Sequence, residues 1–432
     1  MTTQCPSLRP RTLDRAFGVL SAAIICTQAC ADGATQPKTI AAATAPVVVT
    51  PSPADMGDVT IDFSACPVAP IWFAIQDGTG PWSQILGSSN VYRFDITSGK
   101  GGYAWVTRAG AGLTVQLASR AELTASPILP CGAAPSEFKT VSGTLAGLAF
   151  DDVVNIGMGG AWNDPEEVGP SFTLAGVRGG DQDLIAYRSD SYGNGVNDRM
   201  IIRRDQNVPN GGSVGTIDFA SEESFAPDTA ALTIAGGGGD RLSAFMMYDV
   251  GNDCVTSVLS DRRVGGSTVT MHGVPGEWQR ANDFHRVGVY ATTGSYRSAS
   301  ESFHTLGDHL LVIPAALPTP SVSLPPGGHK RVQLSLTLPS DDWTSVWLWY
   351  REQRGIGSGV DLHASSAWID GTAVSLAVPD LSGVSGWKPS FLPTPDASIV
   401  WGLYASGRNR AAAAGACSEG ARFFTTSVSG RA

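Results

Sequence analysis

The 432-residue sequence is poor in charge, and lysine is especially rare. Charged residues make up 16% of the chain, against about 25% in ordinary soluble domains, and lysine occurs only five times. The formal net charge is −10, and removal of residues 1–29, which contain three arginines and one aspartate, would leave −12. A chain this acidic is not expected to bind nucleic acid or to adhere electrostatically to anionic lipid.

Spacings typical of catalytic, metal or cofactor sites are also missing. The six histidines show no H-E-x-x-H or similar ligand pattern, and no cysteine pair has the C-x-x-C spacing of a zinc or redox site. The segment AGGGGDR lacks the lysine and hydroxyl of a phosphate loop. GGSVG at 211–215 matches G-x-S-x-G, but the strand-like TIDFAS follows it where a nucleophile elbow needs a helix. We therefore predict no cofactor, no metal centre and no enzymatic activity.

One short apolar run lies near the N-terminus. Arg9, Arg11 and Arg15 precede an uncharged stretch at 16–25. Basic residues followed by about 7–15 apolar ones are typical of an export signal, whereas a membrane-spanning helix needs about 20. We predict a signal peptide at 1–29.

Two processing routes fit the end of this signal. Residues 27–30, TQAC, resemble a bacterial lipobox in which Cys30 receives a lipid, although Thr27 stands where leucine is usual. Alternatively, Ala29 and Ala31 frame an A-x-A cleavage site that would release a soluble protein. We favour lipidation of Cys30, which would make the membrane a partner and place the protein at an outer membrane or cell surface. Free secretion, or release into a periplasm, stays open.

Four cysteines lie beyond the signal, and an even number suits disulfides in an oxidising compartment. They are Cys66, Cys131, Cys254 and Cys417. Cys66 and Cys131 bracket one compact stretch, so we favour that pair, and Cys254 would pair with Cys417 by elimination.

The body of the chain reads as short strands separated by tight turns. Segments such as VTIDF, VYRFDIT and LTVQLAS are rich in β-branched and aromatic residues, and turn segments such as DGTG and SGKGG lie between strands. Strands at this spacing, without amphipathic helices between them, predict an all-β protein built of tandem antiparallel β-sandwich modules. After the signal we predict a tether at 30–57 and modules at 58–133, 138–226, 227–316 and 330–432.

The second module carries a resemblance to a known family. Val141-Ser-Gly-Thr-Leu145 opens it, Phe172-x-Leu174-x-x-Val177-x-x-Gly180 follows, and Asp183-Leu-x-Ala186 closes it. This series resembles the carboxypeptidase regulatory-like (transthyretin-like) sandwich over residues 138–188. The resemblance implies a β-sandwich that serves as a non-catalytic attachment to an exported protein.

A similar pattern of residues recurs about 100 residues later in the sequence. SFTLAGVRG at 171–179 is echoed by TVTMHGVPG at 268–276. Self-similarity at this distance indicates two copies of one sandwich.

DSYGNGVND at 190–198 admits two interpretations. Asp190, Asn194 and Asp198 could offer oxygens to calcium around the turn-forming Gly195, although Tyr192 stands where an oxygen ligand is needed. We favour a hairpin turn on Asn194-Gly195, the strongest short-range hairpin signal.

The segment DWTSVWLWY at 342–350 is the richest in tryptophan. On an unbroken strand Trp343, Trp347 and Trp349 would share one face, opposite Val346, Leu348 and Tyr350. Three indoles in a row could form a flat platform for sugar rings. We favour instead a strand buried on both faces, since exposed aromatic patches of this size are uncommon.

Two classes of function remain. The favoured one is a non-catalytic exported protein, lipid-anchored through Cys30, for adhesion, scaffolding or presentation of a ligand. The alternative is a carbohydrate-binding protein, or a divergent carbohydrate-active enzyme, that uses the aromatic platform. The sequence does not identify a protein or glycan ligand.

Overall fold

The computed structural model describes residues 57–107, 112–125, 127–131, 138–163, 169–189, 197–250, 256–264, 266–293, 295–326, 329–340, 342–353, 358–409 and 418–432. All belong to one compact unit, Pro51–Ala432. Strands dominate, which confirms the all-β fold class. The short helices are α1, Arg120–Thr124, and α2, Ser366–Ile369, and single 3-10 turns lie at Gly276–Trp278 and Pro389–Phe391. Among the described residues, no helix has the length and apolar character needed to cross a bilayer.

The strands fall into four consecutive groups. The first contains β1 Val59–Asp62, β2 Trp72–Asp77, β3 Ser83–Gln84, β4 Val91–Phe94, β5 Lys100–Val106 and β6 Leu113–Ser119. The second contains β7 Phe138–Ala146, β8 Val153–Met158, β9 Ala161–Trp162, β10 Ser171–Arg178, β11 Gln182–Ser189, β12 Asn197–Gln206 and β13 Gly212–Asp218. The third contains β14 Asp228–Ala235, β15 Leu242–Val250, β16 Thr256–Val264, β17 Thr268–Gly273, β18 Phe284–Ala291, β19 Arg297–Phe303 and β20 His309–Val312. The fourth contains β21 Ser321–Ser323, β22 Gln333–Thr337, β23 Trp343–Glu352, β24 Gly359–Ser365, β25 Ala373–Ala377, β26 Ile399–Arg408 and β27 Ala421–Arg431.

All four groups share one topology. Each forms a run of four strands in the same spatial order, namely β6-β5-β2-β3, β12-β11-β8-β9, β19-β18-β15-β16 and β27-β26-β23-β24. Each also has an antiparallel pair in a second sheet, namely β1–β4, β7–β10, β14–β17 and β22–β25. The echoed segments SFTLAGVRG and TVTMHGVPG therefore form equivalent strands, β10 and β17. The repeat seen in the sequence has a structural counterpart.

The strand at the edge of the second sheet distinguishes the fourth group from the others. In the second and third groups the last strand runs parallel to the first, as β13–β7 and β14–β20. The first group has the same arrangement reduced to a parallel bridge between Ile61 and Ile128. In the fourth group β21 precedes β22 and pairs with it antiparallel. The architecture is therefore mostly, but not wholly, antiparallel.

Three of the four-stranded runs join edge to edge into one 12-stranded sheet. Its order is β16-β15-β18-β19-β27-β26-β23-β24-β6-β5-β2-β3. One junction pairs β19 with β27 antiparallel, and the other pairs β24 with β6 parallel. The predicted segments 58–133, 227–316 and 330–432 each contribute four strands to this continuous sheet. Segment 138–226 keeps two sheets of its own around a core that includes Val141, Ile156, Leu174 and Leu184.

The long sheet has one face that carries most of the core. On this core face, β14 and β20 pack against β15, β18 and β19, and β22 and β25 pack against β23 and β26. The pairing Ala299↔Phe424↔Gly407 connects the two regions and places them on the same face. On the opposite face, β1 and β4 pack against the β5–β2 end, with Phe73 and Tyr103 in that core. We call the remainder of the opposite face, from β15 to β24, the open face.

A bulge explains the motif of the second module. Between Ala175 and Val177 the register of β10 against β7 shifts by one residue, and Gly176 there has a φ of 84°. The bulge returns Val177 to the face of Phe172 and Leu174, so all three side chains are buried. A three-residue step would otherwise place Leu174 and Val177 on opposite faces.

The structure describes both cysteines of one of the two predicted disulfides. Cys66 and Cys131 are bonded, with Cα atoms 5.3 Å apart, which confirms that pair. Cys254 and Cys417 lie outside the described residues, as does Cys30 with the predicted signal and nearly all of the tether.

Candidate functional site on the open sheet face

Trp343 does not share a face with Trp347 and Trp349, which corrects the predicted row of three indoles. The register of β23 against β26 shifts between Trp343 and Ser345. This bulge turns Trp343 onto the core face, where it is 3% exposed and contacts Phe424 edge to face. An irregularity of one residue reverses the face of every residue before it.

Trp347 stands in a stack of three rings on the open face. His363 of β24 and Tyr404 of β26 lie directly opposite it on the two neighbouring strands. Their ring centroids lie 5.3 Å and 5.1 Å from that of Trp347, with nearly parallel planes. Both ring faces of Trp347 are therefore occupied by neighbours.

The indole N–H of Trp347 has a hydrogen-bond partner as well. The Trp347 Nε1 donates to Asp361 Oδ1 at 3.1 Å, and Arg351 donates to the other Asp361 oxygen at 2.6 Å. Burial lowers the pKa of His363, which favours a neutral imidazole beside the indole. The three stacked rings therefore form a structural ladder across three strands.

Trp349 is placed differently, because a glycine faces it. Gly402 is its direct partner on β26, and a Cβ on Gly402 would lie 2.5 Å from the Trp349 Nε1. The indole thus occupies the space above the glycine backbone and lies close against the sheet. Trp349 is half-buried on the open face.

Rings that take the place of a glycine side chain recur throughout the protein. Phe172 lies over Gly143, Phe245 over Gly288, Trp401 over Gly430 and Phe424 over Gly407, each pair being directly opposite on adjacent strands. Glycine inside a strand weakens it and often marks a close approach. Glycines inside strand-like segments are therefore the sequence signal from which these ring positions could have been predicted.

A row of hydroxyl groups crosses the open face next to the rings. Consecutive cross-strand partners on seven strands, from β15 to β24, are Ser243, Tyr290, Ser298, Thr425, Ser406, Ser345 and Ser365. Ser406 and Thr425 lie 3.4 Å apart at their oxygens, and all seven side chains are half-buried. The row spans both the third and fourth strand groups. It exists because β19 and β27 pair, and this pairing could not be predicted from the sequence of either group alone.

A second polar cluster lies between the second and third strand groups. Arg204 of β12 donates to Asp183 of β11 at 2.8 Å and also forms an ion pair with Asp283, which is 1% exposed. The Tyr248 hydroxyl donates to the same Asp283 carboxylate at 2.9 Å. Burial and the neighbouring Asp283 raise the pKa of Tyr248. These contacts, with a mixed core that includes Ile185 and Val274, interlock the two groups.

His285 belongs to the same region and is fully buried. Its Nε2 accepts from the Val274 N–H at 2.9 Å, and its Nδ1 lies 3.1 Å from the His304 carbonyl. Burial lowers the pKa of His285 to about 4, so the ring is neutral at ordinary pH. It has the hydrogen bonds of a structural histidine.

The remaining predicted sites are described only in part. Asp198 bonds to Arg188 at 3.0 Å, while Asp190 and Asn194 lie outside the described residues, so the calcium interpretation stays a prediction. Ser213 lies within β13 and not on a strand-to-helix turn. In the described part of the chain, no group of three or more His, Cys, Asp or Glu side chains is placed to hold a metal.

Two small concave spaces lie in the described part of the chain. A cavity beside Trp343, also lined by Leu338 and Ile369, holds about 10 Å³, roughly the room for one water. A shallow depression beside Lys100 and Trp368 holds about 220 Å³. Small-molecule pockets usually enclose about 300–1,000 Å³.

Comparison with known proteins adds little to this description. No protein-family model matches the sequence, and no curated protein matches it. Among solved structures, the FN1–FN3 domains of chicken CNTN1 align over 71% of this chain and 88% of their own, at 8% identity and a TM-score of 0.16. The shaft pilin SpaA of Lactobacillus rhamnosus GG aligns over 42% of this chain and 100% of its own, at 9% identity and a TM-score of 0.12. TM-scores this low support no argument, so the fold assignment stands on the strands themselves.

Proposed function

We propose that the protein is an exported, non-catalytic scaffold that holds four β-sandwich modules in fixed register and presents an extended surface to a ligand. The observation that carries this proposal is the edge-to-edge pairing of three modules into one sheet. Main-chain hydrogen bonds at β19–β27 and β24–β6 replace the flexible connections usual between domains. A continuous sheet of this kind suits a protein that holds the surfaces of its modules in fixed relative positions.

The polar groups best placed for chemistry are engaged in structural contacts, and this supports a non-catalytic role. Asp283 accepts from Arg204 and Tyr248, and His285 is held between two backbone groups. A general acid or base needs a reachable proton and a nearby substrate pocket. Residues 138–188, with their bulged β10, also suit a carboxypeptidase regulatory-like attachment module, which we propose for this segment.

The position of the protein is proposed from its N-terminus. A lipid on Cys30 would fix the chain to a membrane, and the tether at 30–57, rich in alanine, threonine and proline, would hold the sandwiches away from it. The disulfide between Cys66 and Cys131 suits an oxidising compartment. We place the protein at an outer membrane or cell surface, with free secretion as the alternative.

Labelling with palmitate tests the anchor. The exported wild-type protein should carry the label and fractionate with membranes, whereas Cys30→Ser should lose the label and appear in the soluble exported fraction. Cys26→Ser is the matched control and should be labelled like the wild type. A mature chain that begins at Asp32 without lipid would contradict anchoring and support free secretion, and an uncleaved chain retained inside the cell would contradict export itself.

A further inference from the structure

We propose that one end of the first strand group, which we call the apolar tip, inserts into the interface of a lipid bilayer. The tip consists of the loops at 63–71, 85–90 and 127–131. The inference rests on the proposed function, in which the protein is held at a membrane. It adds a contact with lipid besides the one proposed at Cys30.

Exposed aliphatic side chains are concentrated on this tip. Of the nine large apolar side chains that are exposed in the described part of the chain, four lie here, with exposed fractions between 41% and 81%. They are Val68, Ile71, Leu86 and Leu129. The same three loops contain no Asp, Glu, Lys or Arg. Exposed apolar patches typically mark contacts with another protein or with a membrane.

The loops lie at one end of the group because the strand ends that they connect meet around a single ring. Phe63, directly after β1, packs edge to face against Phe73, Tyr92 and Trp105, with ring centroids 5.6 Å to 6.1 Å away. Phe73 and Tyr92 lie at the starts of β2 and β4, and Trp105 lies at the end of β5. The exposed aliphatic side chains therefore surround a shared aromatic base.

A bridge and the disulfide hold the third loop beside the first. Ile128 pairs with Ile61 near the end of β1, and Cys131 is bonded to Cys66. Leu129 lies between these two attachments. Because a covalent bond and backbone hydrogen bonds fix the loops, their side chains lose little conformational freedom on meeting lipid.

The composition and size of the tip favour a membrane over a second protein chain. A specific protein interface usually buries about 800 Å² on each partner, and most of its binding energy comes from Trp, Tyr and Arg. The three loops contain none of these residues, and four aliphatic side chains are few for such an interface. Insertion into a bilayer needs no complementary surface, since its strength scales with the apolar area that is buried.

The chain is long enough for the tip and a lipid on Cys30 to meet the same membrane. Gly57 precedes β1 at the end opposite the tip, and the 27 residues that lead to it from Cys30 reach at most roughly 90 Å. The strands β5 and β6, with seven residues each, measure only roughly 23 Å. A single acyl chain gives marginal, reversible membrane binding, and stable anchoring takes a second contact. The tip supplies that contact.

Co-sedimentation with vesicles tests the tip in the absence of the lipid. The full-length Cys30→Ser protein should bind vesicles of neutral phosphatidylcholine, and added salt should not weaken this binding, because salt screens charges and not apolar contacts. Ile71→Ser with Leu86→Ser in the same background should bind at least tenfold more weakly. Leu310→Ser with Val312→Ser is the matched control, since these side chains are similarly exposed on β20, at 53% and 61%, and it should bind like its parent.

A second pair of variants guards against loss of the fold. Leu86→Glu adds one charge at the most exposed side chain of the tip and should also reduce vesicle binding at least tenfold. Val312→Glu, on β20, is its control and should bind like the parent. All of these variants should melt like the Cys30→Ser protein, because the substituted side chains are exposed.

The outcomes separate this inference from the proposed function. Failure of the Cys30→Ser protein to bind neutral vesicles, binding to anionic vesicles alone, or equal losses in the tip and control variants would overturn the membrane contact. A dimer that the tip substitutions dissociate in sedimentation velocity would also overturn it, because the tip would then face a second copy. Each of these results leaves the scaffold and a palmitate label on the wild type untouched. Vesicle binding by a protein whose wild type takes up no palmitate would support the tip and contradict the anchor.

Discussion

At the scale of single residues, the tryptophans of β23 show how position within a strand decides what a side chain does. Trp343 lies in the core, Trp347 lies inside a stack of rings and Trp349 lies over a glycine. All three are tryptophans of one strand, but each packs against different residues. The differences lead to distinct expectations for substitution.

We expect Trp343→Ala to be far more damaging than Trp347→Ala. Loss of a buried tryptophan costs about 3–5 kcal/mol, and Trp343 is 3% exposed. Trp347 loses two ring pairs worth about 0.5–1.5 kcal/mol each, so about 1–3 kcal/mol in all. Urea unfolding of both variants measures the difference. A Trp347→Ala protein as stable as the wild type would contradict the structural role of the stack.

Gly402→Ala should destabilise the protein although it only adds a methyl group. A Cβ at this position would lie 2.5 Å from the Trp349 Nε1, so the indole must move, at a cost of about 1–3 kcal/mol. Gly307→Ala is the control, since no heavy atom lies within 4 Å of its added Cβ. Equal melting temperatures for the two variants would show that Trp349 does not depend on the glycine.

At the scale of elements, the four junction strands, β6 with β24 and β19 with β27, hold the long sheet together. In an isolated module β6 and β27 would be edge strands with a row of unpaired backbone groups, a liability that proteins usually cover. Here β24 and β19 cover them. The amides of β6 and β27 should therefore resist hydrogen exchange as the central strands β5 and β26 do. Exchange of the junction strands as fast as that of the two-residue β3 would contradict a continuous sheet.

A proline in a junction strand should break the sheet. Thr425 of β27 has Ser298 on one side and Ser406 on the other, so whichever way its N–H points, Thr425→Pro removes a ladder bond. We expect a loss of at least about 1–3 kcal/mol, read as a lower urea midpoint. Ser321→Pro, at the exposed first residue of the edge strand β21, is the control and should be tolerated.

At the scale of the whole molecule, buried histidine links stability to pH. Burial lowers the pKa of His285 to about 4, against about 6.5 for a free histidine. Between these values the unfolded chain binds a proton that the folded chain does not, so stability falls as the pH drops from about 6.5 to 4, by about 3 kcal/mol. Burial lowers the pKa of His363 and His309 in the same direction.

Urea unfolding at pH 7.5 and pH 4.5 measures this dependence. His285→Gln should reduce the difference between the two conditions. An unaltered difference in His285→Gln would assign the acid sensitivity to other groups.

Much of the local organisation could be read from the sequence because it depends on neighbours along the chain. Alternating apolar residues and turn segments predicted the strands, and the bracket of Cys66 and Cys131 around one compact stretch predicted their disulfide. The sequence also supplied the echo between 171–179 and 268–276, since equivalent strands in repeated modules need the same pattern of buried side chains.

Only the tertiary structure decided how these pieces meet. The bulge at Trp343 depends on the register between β23 and β26, whose residues are about 60 positions apart, and one inserted residue reverses a face. The junction of β6 with β24 and the ion pairs of Arg204 likewise join segments far apart in the chain. Sequence periodicity reports which residues are apolar, but the partner of a strand edge is selected by long-range packing, and that selection created the continuous sheet and its open face.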